Sequence, residues 1–163
     1  MASPSEPLVA HRLRHLALAV AAFATLVTPV ELVFSKHYDE PAQFIPFVMV
    51  ALTLLAIVLV HRTPSAKLLR LFRGLMGLLF VVSVVGVFFH LRGNLEVVRE
   101  IHPETSGWLL VWEVLSGAAP ALAPGLLAQV GLLGLVYTYR HPALTAQGRA
   151  RANRVATVTA RES

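Results

Sequence analysis

The sequence predicts an all-α integral membrane bundle of four transmembrane helices, with both termini on the same side and a short interfacial helix before a proline-kinked fourth span. Three observations predict it. Of 163 residues, 56% are apolar and only 14% charged, where a soluble domain carries about a quarter charged residues. The apolar residues fall into long uncharged windows. Finally, the cations cluster between alternate windows, as they do around helices threaded through a bilayer.

The first window, 16–34, follows Arg12 and Arg14. Ala22-Phe23-Ala24 has the look of a signal-peptide cleavage site, but the apolar run continues through Phe34, so the segment reads as a retained anchor. Pro29 is expected to kink it just before Glu31. The outer loop that follows carries His37, Asp39 and Glu40. A second span is read over 44–60, followed by an inner loop with Arg62, Lys67, Arg70 and Arg73. The third span is read over 74–91. These three windows hold 17 to 19 residues each, close to the ~20 that a helix needs to cross hydrocarbon.

The third window ends in GVFFHLRGNLE, with His90, Arg92, Asn94 and Glu96. Gly93 and Asn94 are expected to end the helix, with 95–101 starting a short surface helix. The last window, 108–139, has 32 residues, roughly 48 Å as one helix at ~1.5 Å per residue. Pro120 and Pro124 divide it, giving an interfacial helix over 108–117 and a span over 121–139. Trp108 and Trp112, four residues apart, share a face suited to headgroup depth. Residues 1–141 thus form the transmembrane domain, and 142–163 a basic tail read as mobile.

The charges set the orientation. On one side of this topology lie eleven of the fourteen cations; on the other lie Lys36, Arg92 and Arg99 with seven of the nine acids. The positive-inside rule then puts both termini in the cytoplasm. Arginine outnumbers lysine twelve to two, which fits a GC-rich bacterial genome and so an inner membrane. The basic residues flank apolar spans instead of striping a soluble face, so nucleic acid is not the expected partner. The lipid bilayer is, with a homo-oligomer or a larger membrane complex beyond it. No cysteine is present, which excludes disulfides, thiolate metal sites and cysteine nucleophiles.

Function is carried by the outer end. Ser83, Gly86, His90 and Asn94 fall within an ~80° sector of the third helix at ~3.6 residues per turn. Ala17, Ala21, Ala24, Thr28 and Glu31 mark a similar face of the first. Small and hydroxylated residues permit close helix approach, so His90 and Glu31 are expected to point inward, toward each other or a shared cavity. Glu31, His90 and Glu113 come from three helices, as ligands of bundle metal sites do. Histidine and carboxylate donors suit zinc, iron or manganese. His37 is a weaker candidate ligand, and Glu96 a candidate general base for a metal-bound water. The spacings match no established metal motif, and Arg92 and Glu96 also form an ordinary helical ion pair.

Three further readings stand beside the metal or small-ligand site. The chain is alternatively a non-enzymatic accessory subunit working through its small-residue faces. A haem held by His90 and His37 is another reading, and a small transporter a third. The size and four spans resemble those of small multidrug exporters, whose essential acid lies deep in the first span, unlike Glu31. Gln129, near the middle of the fourth span, is expected to hydrogen-bond across a helix contact. His15, His61 and His141 read as interfacial residues at cytoplasmic helix ends, with a contact between His15 and His61 as the alternative.

Overall fold

A computed structural model describes residues 8–117, 119 and 122–146. These form helices and connecting turns: α1 (Leu8–Phe34), a 3₁₀ turn (Pro41–Phe44), α2 (Ile45–Arg62), α3 (Ala66–Ile101), α4 (Gly107–Leu115) and α5 (Leu122–Thr138). Three stretches are long and apolar enough to cross a membrane, Leu8–Phe34, Pro41–Arg62 and Ala66–Ile101. The fourth expected span is shorter: α5 has 17 residues, about 26 Å at ~1.5 Å per residue.

The distribution of side chains agrees with a lipid setting. Phe23, Phe34, Leu71 and Phe88 are each more than half exposed, while Thr25, Thr28, Thr53 and Ser83 are buried. A soluble monomer does not show so continuous an apolar surface. In lipid the apolar exterior costs nothing, and small or hydroxylated residues occupy the helix contacts. On α1 the hydroxyls return to their own backbone: Thr25 donates to the Ala21 carbonyl at 2.6 Å and Thr28 to that of Ala24 at 2.9 Å.

α1, α2, α3 and α5 pack antiparallel in succession. The start of α1 meets the end of α2, where the His15 and His61 rings lie 5.9 Å apart, the alternative of the two readings. The same start of α1 reaches the end of α5. There Arg14 donates to the carbonyls of Tyr137 at 2.9 Å, Arg140 at 3.2 Å, and Tyr139. A guanidinium on the final carbonyls of a helix meets both their unfilled acceptors and the negative end of the dipole. Tyr137 joins the remaining elements. Its ring packs edge-on against Phe72 of α3 at 5.8 Å, and its hydroxyl donates to Val60 of α2 at 3.4 Å. The cationic helix ends therefore gather at one end of the bundle.

α5 lies against both α1 and α3, and glycine makes its contact with α3 possible. A Cβ on Gly131 would stand 2.8 Å from the Met76 carbonyl oxygen and 3.0 Å from the Phe80 nitrogen. A Cβ on Gly134 would instead collide with the Met76 side chain. The contact puts Gly131 and Gly134 inward and leaves Gln129 exposed, so among the described residues the expected hydrogen bond from Gln129 across this contact is not made.

Several boundaries differ from the sequence expectation. α1 begins at Leu8, a full two turns before 16, and runs through Pro29 to Phe34. α3 begins at Ala66, where the Ser65 hydroxyl accepts from the Leu68 N–H at 3.2 Å. It does not end at Gly93 but continues to Ile101, 36 residues in all. A glycine inside a helix costs only about 1 kcal/mol, and here Asn94 is held from outside the helix, as shown below. The short helix expected before the last span appears as α4, with Trp108 and Trp112 exposed. Pro124 falls in the first turn of α5, where the missing N–H has no helical partner to lose. Pro120 and the tail beyond 146 lie outside the described residues.

The two glycines separate backbone from side-chain crowding. Gly131→Ala should lower stability by about 1–3 kcal/mol, because backbone atoms must move apart. Gly134→Ala should cost less, since Met76 has other rotamers. Thermal unfolding of both variants in one detergent measures the difference, and equal losses would contradict the close approach described.

Candidate functional site

The end of the bundle opposite the cations contains a cavity of about 510 Å³. α1 contributes Thr28 and Leu32, the 3₁₀ turn Gln43, α2 Met49, and α5 Pro124 and Leu127. α3 supplies a long wall that includes Leu79, Ser83, Gly86 and His90. The lining surface is mainly apolar, with polar groups from Thr28, Ser35, His37, Glu40, Gln43, Ser83 and His90, a composition suited to a ligand pocket.

Two local devices shape its mouth. α1 ends in a Schellman turn: the N–H of Lys36 donates to Val33 at 3.1 Å and that of His37 to Leu32 at 2.9 Å. Lys36 adopts φ +52° to close it, a left-handed conformation that a side chain pays for by roughly 1–2 kcal/mol. The reversal carries His37 back over the bundle. Its ring stacks on that of His90, with centroids 5.8 Å apart and planes 18° from parallel. Farther along the loop, the Gln43 side-chain oxygen accepts from the backbone N–H groups of Asp39 at 2.7 Å and Glu40 at 3.2 Å. This pins the turn that leads into α2.

The face read from helical phase is the inward face of α3. Ser83 and Asn94 are buried, and Gly86 and His90 are half-buried. Two polar atoms on the wall have no hydrogen-bond partner among the described residues, Ser83 Oγ and His90 Nδ1. Unpartnered buried polar atoms are uncommon, and each calls for an explanation.

Asn94 has a different role from the one its position suggested. Its Nδ2 donates to the carbonyls of Val114 and Ala119, each at 2.9 Å, and its Oδ1 accepts from the Ala119 N–H at 3.0 Å. The amide thus clasps the connection from α4 to α5. Gly117 lies against it closely enough that a Cβ there would meet the amide carbon at 2.5 Å. This tertiary clasp lets α3 run straight through Gly93. The sequence signal was present in the shared phase of Asn94 and Ser83, but its partners lie 20 to 25 residues away.

The expected metal ligands do not converge. Among the described residues, no three histidine, aspartate or glutamate side chains stand together as a metal group. His90 meets His37 rather than Glu31, and neither Glu31 nor Glu113 lines the cavity. Glu113 lies on α4, with its Oε2 buried and unpartnered. Glu96 does not line the cavity either. It accepts from Arg92 at 2.9 Å in an exposed pair one turn apart, the ordinary helical ion pair foreseen as its simpler role. The structure therefore joins His37 and His90, two of the five candidates, and leaves Glu31, Glu96 and Glu113 apart from them.

No family model, curated protein or solved structure matches this chain. What the fold defines is an all-helical protein with three helices of membrane-spanning length and apolarity. The site adds an apolar cavity beneath a stacked histidine pair.

Asn94→Ala removes three hydrogen bonds and strands two carbonyls and an N–H. It should destabilise the protein by about 2–4 kcal/mol. Hydrogen exchange should rise over 107–119 more than over α1, and uniform exchange would argue against a local clasp.

Proposed function

We propose that this chain is a four-span protein of a bacterial inner membrane, with both termini cytoplasmic, that binds a small, largely apolar molecule at its outward-facing end. The observation that carries this reading is the cavity of about 510 Å³. Its wall presents two unpartnered polar atoms, Ser83 Oγ and His90 Nδ1. An apolar chamber with a few fixed polar groups suits recognition of a ligand that brings a matching polar part. The gathering of cationic helix ends on the opposite side supports the orientation. α5, though short, completes the fourth crossing where it packs between α1 and α3, because local thinning of the bilayer costs only fractions of a kcal/mol per Å.

A divalent ion on His37 and His90 remains the second reading, favoured by the adjacency of the two rings. Zinc, iron or manganese would then take its other ligands from outside the pair, because Glu31 and Glu113 lie elsewhere. Haem on the same two histidines is a variant of that reading.

Because the chain has no cysteine, single cysteines report topology cleanly. Glu96→Cys should react with a membrane-impermeant maleimide in intact spheroplasts, and Lys67→Cys only after the membrane is opened. The reverse pattern overturns the orientation. For the site, solvent extraction of purified protein followed by mass spectrometry should yield a small organic molecule near one per chain. Met49→Phe and Leu127→Phe, which fill the chamber, should each lower its yield by about tenfold, a loss of ~1.4 kcal/mol in binding. A metal near one ion per chain that disappears in His37→Ala/His90→Ala would transfer the site to the second reading, and a Soret band lost in the same variant to haem. A stoichiometric protein partner, with neither ligand nor metal, would make the chain an accessory subunit instead.

A further inference from the structure

We propose that the cavity selects a neutral, membrane-soluble molecule with a flat head and a hydrogen-bond acceptor at each end of it, the form of a quinone. The proposal rests on the ligand-binding reading above and names the class of molecule that reading leaves open.

The first argument is the placement of the unpartnered groups. Ser83 is only 3% exposed, and its hydroxyl makes none of the bonds to a preceding carbonyl that Thr25 and Thr28 make. His90 Nδ1 is likewise buried and unpartnered. Both residues are on α3 and line the same chamber. Seven residues separate them, two helical turns or about 10 Å along the axis at ~1.5 Å per residue. A hydroxyl and an imidazole N–H can each donate to an acceptor oxygen. A ligand satisfying both needs oxygens at opposite ends, and one with a single polar group leaves one site unfilled.

The second argument is the surface between these two groups. Gly86 lies between them on the same face and has no side chain, and Pro124 of α5 sits beside it, 3.2 Å from where a Cβ would be. Beside Gly86 the wall therefore offers backbone and a proline ring, which suit the apolar face of a ring; Met49 and Leu127 line the same chamber.

The third argument is charge. Among the described residues the lining includes no lysine or arginine, and its one acid there, Glu40, is exposed. An anionic headgroup would enter an apolar chamber without a lysine or arginine counter-ion, an unfavourable transfer. Fatty acids and phospholipid phosphates are therefore disfavoured against a neutral head, while an apolar tail can follow the aliphatic walls.

The test uses the full chain in nanodiscs, with empty nanodiscs as the blank and a 1,4-benzoquinone bearing a short saturated tail as probe. Saturable binding of one probe per chain is expected. Ser83→Ala and His90→Phe should each weaken it roughly tenfold, the loss of one hydrogen bond. Ser83→Thr and His90→Gln, which retain a donor, should bind near the wild-type level, with unchanged helicity showing that all four variants fold. An alcohol and a fatty acid with the same tail should bind about tenfold more weakly or worse. Binding indifferent to Ser83→Ala or His90→Phe overturns the two-ended head. So does an alcohol that binds as well as the quinone, and in that case a loss of alcohol binding in Met49→Phe shows that the chamber is still a ligand site. No saturable binding of any probe, with nothing extracted from the purified protein, overturns both readings.

Discussion

The close approach of α5 to α3 is the constraint on which the rest of the molecule depends. With hydrogens at Gly131 and Gly134, the α5 backbone settles against Met76 and Phe80 at distances no side chain would allow. Below this contact, Tyr137 is carried between Phe72 and Val60 and closes the cationic end. Above it, Pro124 and Leu127 are carried to the wall of the cavity. A helix displaced outward by one methyl group would loosen both ends. Dispersion falls off steeply with small gaps, and in lipid no hydrophobic driving force between helices would make up the difference.

Polar groups are placed with comparable economy. Threonine hydroxyls on α1 are satisfied within their own helix, so they allow tight packing without demanding a partner. The Asn94 amide is satisfied across elements and fixes the α4–α5 connection. Arg14 holds the carbonyls at the end of α5. Against this background the unpartnered Ser83 and His90 atoms stand out as groups left to something other than the chain itself. Of the four buried polar atoms without a partner among the described residues, on Thr53, Ser83, His90 and Glu113, the two on Ser83 and His90 share one cavity.

Much of the fold was legible because its signals are local. Apolar windows located the long helices, since a helix in lipid must be apolar along its length. The phase of Ser83, Gly86, His90 and Asn94 identified the inward face of α3, since side-chain direction repeats every 3.6 residues. The errors have a common cause. Ending α3 at Gly93 relied on local cap preference, and Asn94 overrode it with partners from beyond α4. Directing His90 and Glu31 inward relied on helical phase, which does not say what a loop residue will do; a left-handed Lys36 turned the chain and brought His37 onto His90. Placing Gln129 at a helix contact counted its small neighbours correctly but not the side of the helix they would occupy.

By itself the sequence determined an all-helical chain with segments of membrane-spanning length, cations segregated from acids, and one face of α3 bearing histidine, serine and asparagine. Those properties depend on composition and on a fixed helical repeat, both of which are written along the chain. Only the tertiary structure decided which distant polar residues meet: His37 with His90, and Asn94 with the α4–α5 connection. Such meetings depend on turn handedness and on backbone spacings set by two glycines in another helix, and residue spacing within a single segment carries neither.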